Sequence, residues 1–466
     1  MHAARSRRGN KLCCTAQMQA QAVVTADSAA SQLMGWVTEQ GANESKLSCR
    51  PAMYGSSLAL MTTRSVARGE TLFSIPERAW ITVQTVQQSE IGSFVADLEP
   101  WVQIALFLLH ERRQPRSEWR AYLDSLPAEP DTPLSWTNGE LEWLEGTQLL
   151  GSVYDYRQFF EGRYAELEAE VFASAREVFD EQSFAYLEFL WAVSVVRGKV
   201  HAPLDGESVA LVPFADLVQH ERGSTPGWKV QSGFLGRSGK AVTLEADQEY
   251  AAGEWVVMDF GPDKLDSQLL LDYGVLDPAS TQGGFLLSLA LAEGDRFFDD
   301  KADVLDLNGL AEAEQFTLLP NVEPPKEMLA FLRLNNLSGA DAFLLESLFR
   351  NETWGHMLAP VSMENEQAVF QSMIKGCREA LQGYATTIDE DLALLRTVQK
   401  GGREEMAVRA RLGEKEALDS TLRFFEERFA QLDNLEYYQE RRLRSLGLLD
   451  DDGNSTYDDF FKDGIA

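Results

Sequence analysis

Ala251-Ala252-Gly253-Glu254-Trp255-Val256-Val257-Met258-Asp259-Phe260 is the stretch on which the fold turns. Small residues and a Gly-Glu pair make a turn, and the apolar run from Trp255 to Phe260 reads as a strand leaving it. Val242-Thr243-Leu244 alternates just upstream, so the whole predicts a strand-turn-strand unit. The same device stands about 185 residues earlier, where Ala67-Arg68-Gly69-Glu70 turns and Leu72-Phe73-Ser74-Ile75 leads into Pro76. Before it, Leu58 to Met61 is another short apolar run, and residues 52–85 as a whole read as β structure. Two units built on one turn are predicted to be halves of a single β domain that an insertion interrupts.

The insertion reads as helical. Trp101, Ile104 and Leu108 are spaced by three and four, and Tyr154 to Phe189 mixes acids and apolar residues at helical intervals. Pro127, Pro130 and Pro133 mark a loop between these helices. A further helix is expected through Phe189-Leu190-Trp191 to Val195, and Leu211 to Phe214 is expected to be a short buried segment.

Downstream, Phe370, Met373, Cys377, Leu381, Tyr384, Ile388, Leu392 and Leu395 step by three or four throughout. That predicts one apolar stripe on a helix of about seven turns. Gly401-Gly402 ends it, and Leu418, Leu422, Phe425, Phe429 and Leu432 repeat the pattern. Two long amphipathic helices joined by a Gly-Gly turn predict an antiparallel pair in a helical domain.

Composition narrows the function. The 466 residues hold 42 Lys plus Arg against 73 Asp plus Glu, a net charge of −31, which disfavours nucleic acid and anionic membranes as partners. Apolar residues reach 44%, ample for a large core, yet no run approaches the roughly 20 residues of a membrane span. Cys13, Cys14, Cys49 and Cys377 form neither a disulfide framework nor a C-x-x-C zinc seed, as expected of a reducing compartment. Residues 1–26 hold Arg5, Arg7, Arg8 and Lys11 without a single acid, in a stretch rich in small residues. That composition is a transit peptide's.

Hydrolytic and metal chemistry find no motif. Gly233 to Lys240 misses the phosphate-loop spacing by one residue, and Ala241 occupies the Ser/Thr position, so a hairpin turn is expected. There is no G-x-S-x-G elbow and no H-E-x-x-H. His201 and His220 lack acidic or thiol partners at ligand spacing, and no metal is expected.

What remains is an ordered constellation: Tyr54-Gly55 before the first apolar run, Ala215-Asp216-Leu217-Val218-Gln219-His220, and Met258 to Gly261 followed by Leu269-Leu-Leu-Asp-Tyr273-Gly274. In that order it resembles the SET-domain protein-lysine methyltransferases, and within them the plant Rubisco large-subunit lysine N-methyltransferase group. Gly339-Ala-Asp-Ala-Phe-Leu-Leu-Glu-Ser-Leu-Phe-Arg350 and Leu435-Glu-Tyr-Tyr-Gln-Glu-Arg-Arg-Leu443 resemble that group's substrate-binding domain. Leu141 to Leu150 resembles part of its inserted helical region.

The resemblance implies an α+β fold: a transit peptide at 1–28, and a SET domain at 33–280 with a helical insertion at about 90–185. An all-α substrate-binding domain would follow at 283–450, then an acidic tail at 451–466. It implies S-adenosyl-L-methionine as cofactor and a chloroplast stromal protein as substrate, the Rubisco large subunit or fructose-bisphosphate aldolase. Methyl transfer from a sulfonium needs no metal and no protein nucleophile, which suits the missing motifs. The acceptor must be an uncharged amine, and free lysine has a pKa of about 10.4, so aromatic walls that disfavour the ammonium are useful.

By resemblance, Tyr54, Gly55, Ser56, Lys199, Gln219 and His220 would hold the cofactor. Lys199, Asp216, Trp228, Phe260 and Tyr273 would line the substrate side, with Tyr273 and Phe260 at the methyl-transfer channel. Gly55, Asp216, His220 and Tyr273 keep the group's residue types. Tyr54, Ser56 and Ser57 replace its acidic and apolar-glycine loop residues, and Gln219 replaces an asparagine. Lys199 replaces an arginine and loses its bidentate fork, and Phe260 replaces a tyrosine. The lost charge-assisted contact and displaced amide imply cofactor binding weaker by roughly 2 to 4 kcal/mol. An alternative is a protein-binding module whose catalytic site has decayed. Histidine methylation, known of related SET enzymes, is a third reading.

Overall fold

The computed structural model describes residues 28–55, 57–199, 209–224, 228–231, 239–277, 281–450 and 455. The transit segment to residue 27, Ser56, His201, most of the Gly233 to Lys240 stretch and nearly all of the acidic tail therefore lie outside the described residues. The chain forms two compact units, one of Met1–Leu141 with Gly151–Thr281, the other of Glu142–Leu150 with Gln282–Ala466.

In the first unit, β1 (Cys49–Tyr54) and β2 (Ser57–Thr62) form a hairpin with Tyr54 opposite Ser57. Gly55 opens its two-residue loop at φ +59, which glycine adopts without a Cβ clash. β3 (Thr71–Pro76) pairs antiparallel with β6 (Ala241–Glu245), setting Phe73 opposite Leu244 and Ile75 opposite Val242. β5 (Lys229–Gln231) adds to the other edge of β6. The two β halves thus share one sheet across the insertion.

The two Gly-Glu turns have the same construction. Gly69 and Gly253 take φ of +82 and +89. Glu70 accepts the Ala67 N–H at 3.0 Å, and Glu254 accepts the Ala251 N–H at 2.8 Å. Each carboxylate closes its own turn, so local sequence suffices to specify both.

Two β expectations are corrected. Structure beyond Pro76 is not strand: Glu77–Ala79 is a 3₁₀ turn and Val83–Gln87 a short helix with a Thr82/Thr85 capping box. Trp255 to Phe260 is not one strand either. Thr62 N–H donates to Glu254 O and Val256 N–H to Leu60 O, and the chain then crosses to pair β7 (Val257–Met258) in parallel with β4 (Gln219–His220). A segment that changes partner midway cannot keep a single ladder.

The insertion supplies α1 (Pro100–Arg113), with Ile104 to Leu109 buried, then α2 (Gln148–Glu170) and α3 (Tyr186–Lys199). The expected helical run from Tyr154 to Phe189 is interrupted between α2 and α3 by Phe172, Phe179 and Phe184, which pack on one another with ring centroids 5.0 to 5.6 Å apart. α4 (Asp266–Tyr273) follows β7.

The second unit opens with a hairpin of β8 (Phe285–Ala290) and β9 (Ala313–Leu318). The expected seven-turn helix is two helices, α5 (Met363–Gln382) and α6 (Ile388–Leu394). Gly383 caps the first, and Thr387 with Glu390 forms a reciprocal capping box that starts the second. The buried stripe ends at Tyr384: on α6 the expected stripe residue Leu392 is exposed, and Asp391 is the residue turned inward. α7 (Arg403–Phe429) packs antiparallel to α5, with Phe370 against Phe425 at 5.8 Å and Tyr384 bonded to Glu414. The antiparallel pair is as expected, but three helices build it.

Candidate active site

A cleft of about 330 Å³ opens in the first unit where the three motif segments meet. Tyr54, Gly55, Ser57 and Leu58 of the β1–β2 hairpin line one part of it. Lys199, Asp216, Val218, Gln219 and His220 line another, and Phe260, Tyr273 and Gly274 a third. Pro127, Glu129, Pro130, Asp131 and Thr132 complete the wall.

The segment leading to Asp216 has a strained backbone. Leu211, Val212 and Phe214 are buried as expected, and Phe214 takes φ +75, unusual for a residue with a Cβ. Its ring is held edge-on to Phe73 at 6.0 Å, so core packing sustains a conformation that costs of order 1 to 3 kcal/mol. The chain then turns through the 3₁₀ segment Ala215–Leu217 and buries Asp216. Tyr122, fully buried in the short helix Arg120–Leu123, donates its hydroxyl to Asp216 Oδ2 at 2.7 Å. Asp216 Oδ1 has no partner among the described residues. Burial pushes the Asp216 carboxyl up from its ordinary range, and the Lys199 charge and the Tyr122 hydrogen bond oppose this. Lys199, at the end of α3, donates its ammonium to the Asp216 carbonyl at 3.0 Å.

His220 is placed by β4. The Phe260 N–H donates to its Nδ1 at 3.3 Å, so the neutral ring carries its proton on Nε2. Burial holds the imidazole below its ordinary pKa, which favours that neutral form. Nε2 is buried without a partner among the described residues, a donor left for a ligand. The Phe260 ring lies 5.2 Å from His220 and 4.9 Å from Tyr273, joining the three into one aromatic wall.

Tyr273 ends α4, and Gly274 caps it in the left-handed region at φ +68. A Cβ on Gly274 would stand 2.0 Å from the Asp131 carbonyl oxygen, so only glycine lets the Tyr273 helix close on the proline loop. Burial pushes the Tyr273 phenol up to about 12, helped by Asp272. At neutral pH it remains a hydroxyl.

Of the residues named from the sequence, Tyr54, Gly55, Lys199, Asp216, Gln219, His220, Phe260 and Tyr273 meet in this cleft. Ser56 lies outside the described residues, and Trp228 is not among the lining residues. Tyr54 sits at the mouth, half exposed and edge-on to Trp255 at 5.0 Å. The Gln219 amide turns back to the Leu217 and Val218 carbonyls at 3.3 and 3.4 Å. Tyr122, Ser194 and the Pro127 to Thr132 wall were not singled out from the sequence. Only Pro127 and Pro130, read as loop markers, hinted at the wall, and Tyr122 carries no local signal at all.

The residues present fit S-adenosylmethionine. The cleft is of small-ligand size, and the space beside Gly55 where a Cβ would stand is open, leaving its backbone approachable. His220 Nε2 and Asp216 Oδ1 are a buried donor and acceptor awaiting partners. No group of three His, Cys, Asp or Glu residues among the described residues is placed to hold a metal.

Known proteins share this chain's sequence and fold. The family model for the Rubisco LSMT substrate-binding domain matches residues 292–418, in the second unit. The chain is 35% identical to the chloroplastic [fructose-bisphosphate aldolase]-lysine N-methyltransferase of Arabidopsis thaliana, over 90% of this chain and 87% of that protein. It is likewise 35% identical to the chloroplastic ribulose-1,5 bisphosphate carboxylase/oxygenase large subunit N-methyltransferase of Nicotiana tabacum, over 90% and 86%. The crystal structure of the SET domain of LSMT bound to lysine and AdoHcy superposes with a TM-score of 0.83 at 32% identity, covering 94% of this chain and 99% of the other. With identity of this extent across both units, the chain belongs to the SET-domain Rubisco large-subunit methyltransferase family.

Proposed function

We propose that this protein is an S-adenosylmethionine-dependent protein-lysine N-methyltransferase of the plastid stroma, acting on the Rubisco large subunit or fructose-bisphosphate aldolase. The observation that carries the reading is the meeting, in one cleft, of segments 54–55, 215–220 and 258–274, in a chain that shares about a third of its residues with plastid lysine methyltransferases along nearly its whole length. When bound, the cofactor supplies an activated methyl on a sulfonium. Gly55, Lys199, Gln219 and His220 would hold it, with His220 Nε2 as an available donor.

The chain's own task is to orient an amine and keep it uncharged. Phe260 and Tyr273 form an apolar wall against which an ammonium is poorly solvated, so its proton is lost to water more readily than in bulk. The Tyr273 hydroxyl keeps its proton at neutral pH and orients the amine as a hydrogen-bonding group rather than as a base. Recognition of the protein substrate falls to the helical residues of about 283–450, which include the matched substrate-binding region.

Incubation with radiolabelled S-adenosylmethionine and either plastid protein, followed by peptide mass spectrometry, tests the reading. Label on a lysine of one of them is the expected result. No transfer, together with no cofactor binding at millimolar concentration, leaves only the protein-binding module. Transfer to a histidine selects the third reading.

A further inference from the structure

Asp216 is reached from the insertion by a single side chain. Tyr122, buried and 94 residues upstream, places its hydroxyl 2.7 Å from Asp216 Oδ2. Among the described residues the buried phenol has the carboxylate as its hydrogen-bond partner, and removing either group would leave the other desolvated and short of a partner. The bond occupies one oxygen and points the carboxylate plane, so the second oxygen, Oδ1, stays buried without a described partner in the wall of the cleft.

The charge inventory around the cleft explains why this matters. Lys199 lies against the Asp216 carbonyl. Tyr54, Glu129, Asp131, His220 and Tyr273 are the other titratable groups lining the cleft, and His220 and Tyr273 are neutral by burial. Asp216 is the lining carboxylate that is fully desolvated, where a charge acts over distance far more strongly than at a wet surface. The methyl donor is a cation and its product is a neutral thioether.

We propose that Tyr122 is a positioning residue of the cleft, holding the Asp216 carboxylate ionised and oriented as the counter-charge for the sulfonium. The proposal rests on the reading of the protein as an S-adenosylmethionine-dependent methyltransferase. Burial alone raises the Asp216 pKa, and the Tyr122 hydroxyl and Lys199 work against that rise. Removing the hydroxyl therefore lets the carboxyl take up a proton at a higher pH and frees it to rotate.

Calorimetric titration of the full chain with S-adenosylmethionine and with S-adenosylhomocysteine at pH 6 and pH 8 separates this from a purely structural role. Tyr122→Phe is expected to weaken the cationic ligand about tenfold and the neutral one less than about twofold, with the larger loss at pH 6. Asp216→Asn should show the same selective loss, and adding Tyr122→Phe to it should change nothing further. Equal losses for both ligands, or a loss for neither, would overturn the proposal. Wild-type protein that binds neither ligand would overturn the methyltransferase reading and this inference with it. A circular dichroism melt of each variant identifies any that fails to fold, and Asp216→Asn then carries the comparison alone.

Discussion

Buried polar groups are treated differently in the carboxylate networks of the helical unit and in the cleft of the β unit. In the helical unit the buried carboxylates Asp391, Glu366 and Glu414 each have several partners. Asp391 accepts from Arg411 Nε at 3.1 Å and Nη2 at 2.5 Å and from Thr386 at 2.7 Å, and pairs with Lys415. Glu366 takes Arg333 at 2.6 and 3.1 Å, and Glu414 accepts two backbone N–H groups and the Tyr384 hydroxyl. In the β unit, the cleft leaves Asp216 Oδ1, His220 Nε2 and Ser194 Oγ buried without partners among the described residues. Satisfied polar groups specify a scaffold, whereas unsatisfied ones cost stability and persist where a ligand completes them.

The largest test of this contrast lies in the scaffold. Asp391→Ala strands the Arg411 and Lys415 charges in the interior, and is expected to destabilise the helical unit by about 3 to 5 kcal/mol. Chemical denaturation followed by circular dichroism measures it. A loss under about 1 kcal/mol would mean that the network is solvated and the contrast false.

Glu414 gives a smaller effect with a defined sign. It is nearly fully buried, and its oxygens accept the Gln148 and Leu149 N–H groups at 3.0 and 3.4 Å, capping the start of α2. Desolvation nevertheless raises its pKa to about 7, against 4.5 for the free side chain. The folded state thus holds the proton to a higher pH than the unfolded chain does. Its contribution to stability is full below about pH 4.5 and is lost as the pH rises through about 7, a change of about 3 kcal/mol. Glu414→Gln keeps an acceptor oxygen and should flatten that part of the stability–pH curve. An unchanged slope would place the titration elsewhere.

The finest test adds a group to the cleft. Phe260→Tyr introduces a hydroxyl beside Tyr273, whose ring is 4.9 Å away. That hydroxyl tethers the amine, or a water in the space a methylated amine needs. Wild type should yield mainly trimethyl-lysine and the variant a larger share of lower states by mass spectrometry, with stability altered by less than about 1 kcal/mol. If wild type transfers nothing and Phe260→Tyr restores activity, the natural protein is a degenerate enzyme and methylation number is not what this position controls.

Features that depend on neighbours along the chain are legible in the residues alone. Ala67-Arg-Gly-Glu70 and Ala251-Ala-Gly-Glu254 are turns because a glycine supplies positive φ and the glutamate closes on an amide three residues back. The capping box Thr387-Ile-Asp-Glu390 is equally local and marks the start of α6, yet the unbroken apolar stripe outweighs it when periodicity alone is followed. Features that depend on distant partners are settled only when the chain has folded. It splits Trp255 to Phe260 between β2 and β4, and it forces Phe214 to positive φ against Phe73. It brings Tyr122 to Asp216 and demands glycine at 274 beneath the Asp131 carbonyl. Those residues carry no pattern of their own, because the forces that fix them, excluded volume and the desolvation of a buried carboxylate, exist only once segments far apart in the chain have met.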